Sequence, residues 1–281
     1  MGQFFPIIVL KPYLQSLGSN MKKPRLAVYK FTSCDGCQLA FLNAGEALLL
    51  LSELVEFTFF AEAGALSRKK VDIAFVEGSI STPGEIERIK KIRKNSTFLI
   101  TIGACATAGG IQALRNAANY EEWMSSIYAS PQTIASMNIS TAISHHVKVD
   151  LELWGCPVNT GQVMDAIRSL LFGAFPQIKR DAVCLECKRK GHVCVLVAKN
   201  EPCMGPVTQT GCGALCPGLG HACYACYGPS QNPNTHYLGE WFAKNGSRYD
   251  QIARQFLHIN NQAPVFNQAG NYFKGIKIVK E

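Results

Sequence analysis

The cysteines constrain this chain more than any other feature. Thr32-Ser33-Cys34-Asp35-Gly36-Cys37 follows directly on the apolar run Leu26 to Phe31. A C-x-x-C pair between a strand and a helix can aim both thiols at one centre, yet it is half a site, because a tetrahedral zinc or an iron–sulfur cluster takes four protein ligands. Cys105 and Cys156 recur in the same setting, after TFLITI and after LELW. Apolar runs at 25–31, 55–60, 71–76, 97–102 and 150–154 alternate with helical patterns at 37–51, 82–95 and 161–172. The helix at 82–95 carries a threonine cap, a proline in its first turn and an early acid. Near-continuous apolar strands alternating with helices predict an α/β, doubly wound parallel sheet. In such sheets the functional crevice lies beyond the carboxyl ends of the strands, where strand order reverses. Cys34, Cys37, Cys105 and Cys156 are therefore expected to converge there, with Gly36, Gly103 and Gly155 leaving room beside them.

Past Arg180 the character changes. Eight cysteines fall between residues 184 and 226, in a stretch rich in glycine and proline and poor in hydrophobic period. Such a segment cannot build much core alone, so metal is expected to hold it, and eight ligands make two four-ligand sites. Zinc suits the pairs at 184/187 and 223/226. Against zinc, Cys156 and Cys216 are each followed by proline, as at the end of ferredoxin-type cysteine runs. Two helical patterns follow between 237 and 259, and the tail to Glu281 is expected to be an arm packing on this or another subunit.

The formal charge of +8 invites a nucleic-acid partner, but the basic residues are scattered in short runs. Three oxidised 4Fe–4S clusters on twelve thiolates, each about −2, would bring the total near +2. No nucleic-acid partner is expected. No stretch approaches the 18 apolar residues of a spanning helix, and no secretory pattern is visible, so the chain is expected to be cytoplasmic without a membrane span. The chain divides into an N-terminal extension (1–20), a sheet domain (21–180) and a cysteine-rich domain with C-terminal helices and arm (181–281).

The combination TSCDGCQ, VEGSI, GACA, GCP and CLEC-x6-C-x8-C-x8-CGALC-x6-C-x-x-C resembles the small subunit of nickel–iron hydrogenases. More narrowly it is similar to the cytoplasmic, NAD(P)-linked bidirectional type, the sulfhydrogenase delta subunit, over roughly residues 24 to 227. The resemblance implies a flavodoxin-like domain holding a proximal 4Fe–4S cluster on Cys34, Cys37, Cys105 and Cys156. It implies a distal 4Fe–4S cluster on Cys184, Cys187, Cys194 and Cys203, and a medial one on Cys212, Cys216, Cys223 and Cys226. An interleaved pairing, with Cys203 and Cys212 exchanged, also gives workable spacings. Periplasmic members begin the distal set with histidine and keep three medial cysteines; Cys184 and Cys216 depart from both habits. The respiratory complex I relative carries adjacent paired cysteines and lacks the cluster-rich tail.

On this resemblance no residue of the chain cleaves dihydrogen. The nickel–iron centre belongs to a large partner subunit, and FAD to a flavin and NAD(P)-binding partner, with further iron–sulfur subunits possible in the assembly. The chain would carry electrons between them. The equivalent subunit of a deazaflavin-reducing or heterodisulfide-linked hydrogenase is the second reading, and a zinc-stabilised interaction module the reading from another class. Glu77 matches a family acid near the proximal cluster, against the plainer role of a helix-capping acid. Gln38 stands where many members carry a proton-transferring glutamate, so that role does not carry over. Asp35 reads as a solvated turn acid, and Trp154 as a residue packing on the sheet.

Overall fold

The computed structural model describes residues 23–66 and 70–276, so the expected extension at 1–20 lies outside the described residues. Six strands form one sheet: β1 (Arg25–Lys30), β2 (Glu56–Phe60), β3 (Ala65–Leu66), β4 (Val71–Glu77), β5 (Ser96–Ile102) and β6 (Leu151–Leu153). Their order is β3-β2-β1-β4-β5-β6, with all neighbours parallel except the short β2–β3 pair. The five parallel strands have flavodoxin-like order, and the chain reverses direction between β1 and β4.

The apolar runs are continuous because the sheet is covered on both faces. Leu26, Val28, Phe75 and Ile100 join one core with Phe41, Leu51, Val163 and Ile167. Ala27, Tyr29, Val76 and Leu99 join the other, with Ile89, Ile92 and Ile143. The first face is laid down by helices α1 (Gly36–Leu42), α2 (Glu46–Leu54) and, later in the chain, Thr160–Leu171. Phe41 sits edge-on to Phe75 and Phe60, with ring centroids 5.1 and 5.8 Å away. The other face receives α3 (Pro83–Lys94), whose Thr82–Glu85 capping box and leading proline match the expected start. The single helix expected over 37–51 is broken: α1 and α2 meet at 82°, at Asn43-Ala44-Gly45, where Gly45 takes a φ of 56°. The bend returns Leu51 to the sheet that Phe41 already covers. No single helix among the described residues is long and apolar enough to cross a membrane.

Cys105 lies on the short α4 (Gly103–Ala108). The region expected to be irregular, 120–146, contains α5 (Tyr120–Ile127). This helix buries no residue and is started by Asn119, whose side chain accepts from the Glu122 N–H at 3.3 Å, so it has a cap without a core face. Then comes α6 (Thr160–Leu171), capped by Asn159.

The cysteine-rich segment is built from short turns and three brief helices, α7 (Val183–Arg189), α8 (Val195–Ala198) and α9 (Leu215–Gly218). It has more core than its composition suggests, because α10 (Thr235–Lys244), α11 (Tyr249–Phe256) and α12 (Pro264–Gly275) supply one. Phe242, Ile252, Phe256, Phe266 and Phe273 pack with Val195, Met204 and Val207 of the cysteine-rich turns. In place of the expected arm, residues 264–275 are a helix that buries Phe266 and Phe273 completely. Trp154 likewise packs into this second core, against Gly228, instead of onto the sheet.

Candidate functional site

The loops after β1, β5 and β6 bring Cys34, Cys37, Cys105 and Cys156 to the carboxyl edge of the sheet, beside the reversal of strand order. All twelve cysteines are free thiols. Burial pushes the Cys105 thiol up to about 12, and neighbouring Cys156 and Cys34 push it the same way. Burial also raises Cys37, which feels Cys105 and Cys156 as well as Glu77, and Cys156, which feels Cys34. The four therefore face one another. Their environment disfavours bare thiolates, so a bound cation would have to displace the protons. Cys37 is buried whereas Cys34 and Cys156 are exposed, which leaves one side of the quartet open. The N–H of Val158 points at Cys37 Sγ from 3.5 Å.

Gly103 shows how closely the quartet is built. It has a φ of 83°, and a Cβ there would stand 2.3 Å from Cys37 Sγ and 3.4 Å from the Gly155 carbonyl oxygen. That carbonyl accepts the N–H of Ala104 at 2.7 Å, tying the Cys105 loop to the Cys156 loop.

Glu77 ends β4 directly across the reversal point. Its Oε1 accepts the backbone N–H of Cys37 at 3.0 Å. Asp35, at the N-cap of α1, has a left-handed backbone and makes no capping bond. Glu77 thus supplies from another strand the acceptor that a cap would provide, and in doing so fixes a proposed ligand. Of the two roles weighed for Glu77, this contact is the helix-capping one. Burial raises its pKa, against hydrogen bonds from Cys37 and Gln38 that lower it. Asp35 pairs with Lys30 and takes weak bonds from Ser33 and Gln38, as a turn acid would. Glu77→Ala should leave the Cys37 N–H buried without a partner and cost about 1–3 kcal/mol. The expected readout is a lower melting temperature together with a changed electron paramagnetic resonance signal from the proximal site, partly rescued by Glu77→Gln. An alanine variant identical to wild type in both would refute a positioning role.

The eight later cysteines gather in two neighbourhoods. Burial pushes Cys184 up to about 11, with Cys203, Cys187 and Cys194 adding to the rise. The Sγ atoms of Cys203 and Cys184 lie 3.4 and 3.6 Å from where a Cβ of Gly205 would stand. In the second neighbourhood, burial pushes Cys226 up to about 12, with further push from Cys212, Cys156 and Cys216. Several contacts connect the neighbourhoods, among them that of Cys187 with Cys212. Cys226 feels Cys156 of the sheet-edge quartet, and the Cys223 N–H donates to Cys203 Sγ at 3.2 Å. Of the eight, Cys194 alone is exposed.

Two residues at these sites escape sequence reasoning. Glu186, inside the 184–187 pair, accepts the N–H groups of Gly211 and Ala214 at 3.0 and 3.1 Å and so anchors the Cys212 turn. Tyr227 is buried between Gly155 and Gly211, and its hydroxyl donates to the Pro157 carbonyl at 3.2 Å, joining the Cys156 loop to Cys226. An acid inside a C-x-x-C is the available signal for the first; nothing local marks the second. His192 lies against Gly218 and His221 is exposed.

The donor set fits iron–sulfur chemistry: twelve free, soft thiols, with backbone N–H groups aimed at sulfur and a glycine where a methyl would collide. Among the described residues no three His, Cys, Asp or Glu side chains close around a single metal ion.

A family model described as the NADH ubiquinone oxidoreductase 20 Kd subunit matches residues 34–170. The sulfhydrogenase 2 delta subunit of Pyrococcus furiosus is 36% identical over 211 residues, covering 75% of this chain and 88% of that protein. The chain belongs to the small-subunit family of nickel–iron hydrogenases. Another relative of this hydrogenase small subunit is a vhu subunit of the F420-non-reducing hydrogenase of Methanocaldococcus jannaschii, 29% identical over 73% of this chain and 81% of that one. Among solved structures, an NAD+-reducing [NiFe]-hydrogenase in the H2-reduced state has a chain similar at a TM-score of 0.52 and 26% identity, over 56% of the small subunit here and 96% of that chain. The actinobacterial-type NiFe-hydrogenase of Ralstonia eutropha H16 shares the fold over 91% of both chains, with a TM-score of 0.54 and 17% identity.

Proposed function

We propose that this chain is the electron-transfer subunit of a nickel–iron hydrogenase, holding three 4Fe–4S clusters between a large subunit and an electron-accepting subunit. The observation that carries the reading is the file of thiol quartets, from the sheet edge through Cys226 and Cys223 to exposed Cys194. Cys34, Cys37, Cys105 and Cys156 would hold the proximal cluster, Cys212, Cys216, Cys223 and Cys226 the medial, and Cys184, Cys187, Cys194 and Cys203 the distal. When bound, such clusters supply reversible one-electron chemistry. The chain's own part is to hold the thiols, aim N–H groups at sulfur and exclude water from Cys37, Cys203 and Cys223, each of which tunes potential. No hydrogen-cleaving site is assigned to this chain. The large subunit, with the nickel–iron centre, is assigned to the open side of the proximal quartet, near exposed Cys34, Cys156 and Leu39.

The acceptor in the leading reading is a flavin subunit that binds FAD and reduces NAD(P), in a cytoplasmic assembly. The second reading is the equivalent subunit of a deazaflavin-reducing or heterodisulfide-linked hydrogenase; the sulfhydrogenase delta relative and the vhu relative match this chain over nearly the same share, 75% and 73%. Both readings require the same metal content. Iron and acid-labile sulfide, assayed on the complex purified without oxygen, should each approach about twelve per chain. Zinc without sulfide would establish a structural module instead, and the co-purifying subunits would separate a flavin acceptor from an iron–sulfur one.

A further inference from the structure

Two consecutive asparagines in the turn between α11 and α12, Asn260 and Asn261, are buried at 2% and 7% exposure, well outside the cysteine pattern. Asn260 Nδ2 donates to the Ala225 carbonyl at 2.6 Å, between Cys223 and Cys226. Asn261 Nδ2 donates to the Gly110 carbonyl at 3.2 Å, in the loop that follows Cys105. The two carbonyls are alike in two respects. Each belongs to a residue with left-handed backbone, φ being 58° at Ala225 and 62° at Gly110. Each already accepts a local N–H, from Gly228 at 3.0 Å and from Ala113 at 3.2 Å. The asparagine bonds are therefore second bonds, which the carbonyls do not need for satisfaction. Asn260 makes its bond although its own Oδ1 is buried without a partner among the described residues, which is unfavourable. Alanine at a φ of 58° is unfavourable too, and its methyl offers nothing to hold the turn there.

Each of the two turns brings a donor to a cysteine sulfur. Burial pushes the Cys223 thiol up, and the Ala225 N–H, bonded to that sulfur, pulls it back. Burial and the neighbouring Cys156 and Cys34 push Cys105 up, and the Gln112 side chain, bonded to its sulfur, pulls it back. A Cβ on Gly110 would stand 2.6 Å from Cys105 Sγ and 2.9 Å from Gln112 Oε1, so turn, sulfur and donor are in contact. Hydrogen bonds to sulfur stabilise the reduced, more negative form of a cluster and raise its potential. Cys223 and Cys226 share a cluster in either pairing of the late cysteines. We propose that the Asn260–Asn261 turn is a positioning clamp on two clusters. Asn260 holds the donor to Cys223 of the medial cluster, and Asn261 holds the loop that brings a donor to Cys105 of the proximal one. This rests on the electron-transfer reading above.

The test is a redox titration of the intact complex, purified without oxygen and followed by electron paramagnetic resonance. The medial signal is the one that Cys223→Ala removes, and the proximal signal the one that Cys37→Ala removes. Leucine is the informative replacement, since it deletes the amide donor and the unpaired oxygen together at similar size. Asn260→Leu should make the medial midpoint more negative and leave the proximal one in place. Asn261→Leu should move the proximal midpoint alone, and by less, because Gly110 keeps its left-handed φ unaided. Adding Ala225→Gly to Asn260→Leu should recover most of the medial shift for the same reason. If Asn260→Leu loses about four irons instead of shifting a midpoint, Ala225→Gly should restore them. Unchanged midpoints in both single variants, a common shift of all three clusters, or no recovery with Ala225→Gly would each overturn the clamp. A wild-type complex without 4Fe–4S signals would instead sink the electron-transfer reading, and the clamp with it.

Discussion

Replacing Gly103 with alanine is expected to strip the proximal cluster from an otherwise folded chain, lowering iron from about twelve to about eight per chain. Two effects coincide at this position. The φ of 83° costs an L-residue about 1–2 kcal/mol. The added methyl would also stand 2.3 Å from Cys37 Sγ, well inside contact distance. The thiol cannot swing aside freely, since Cys37 is buried and held at its N–H by Glu77 and at its sulfur by the Val158 N–H. Gly173 separates the two effects: its φ is 71°, but a Cβ there meets nothing within 4 Å. Gly173→Ala should therefore cost about 1–2 kcal/mol of stability and no iron. Equal iron in both variants and wild type would show that the quartet does not depend on the close approach at Gly103.

The difference between those two glycines also marks where sequence reasoning stops. Near-continuous apolar strands, a capped helix at Thr82 and cysteines at strand ends are local signals, and each predicts the right element at the right edge. The break at Gly45, by contrast, depends on where the sheet lies below the helix, which no local period encodes. The region at 120–127 is the reverse case: Tyr120, Trp123, Met124 and Ile127 recur at helical spacing, so the helix is legible there, but the fold buries none of them. Composition taken over the cysteine-rich turns alone understates the C-terminal core. Phe242, Phe256, Phe266 and Phe273 come from later helices, and they close over Val195, Met204 and Val207. At the site, the twelve thiols are legible from spacing and the acid at Glu77 from its position. The capping bond to Cys37, the Glu186 anchor and the Tyr227 link all join residues distant in sequence or hidden inside a motif.

The pairing of the late cysteines can be decided by counting iron in double substitutions. If Cys184 and Cys203 serve one cluster, removing both should cost no more iron than removing either, about four atoms of twelve. Cys184→Ala with Cys212→Ala should then cost about eight, because two clusters lose a ligand each. The interleaved pairing reverses these outcomes. Cys203 and Cys184 flank the same glycine and Cys212 stands among the neighbours of Cys226, as the first pairing requires; Cys203 Sγ also accepts the Cys223 N–H and Cys187 feels Cys212, as the second requires, so the iron count decides. Alanine is the better replacement, because a serine oxygen could still reach the cluster. Function should follow the metal count. Losing the medial or distal cluster should abolish reduction of the protein acceptor, while isotope exchange between H2 and water, which on this reading belongs to the large subunit, persists. A double variant lacking eight irons for Cys184 with Cys203 would sink the in-order assignment. A variant that loses exchange together with acceptor reduction would show that these thiols do more than conduct.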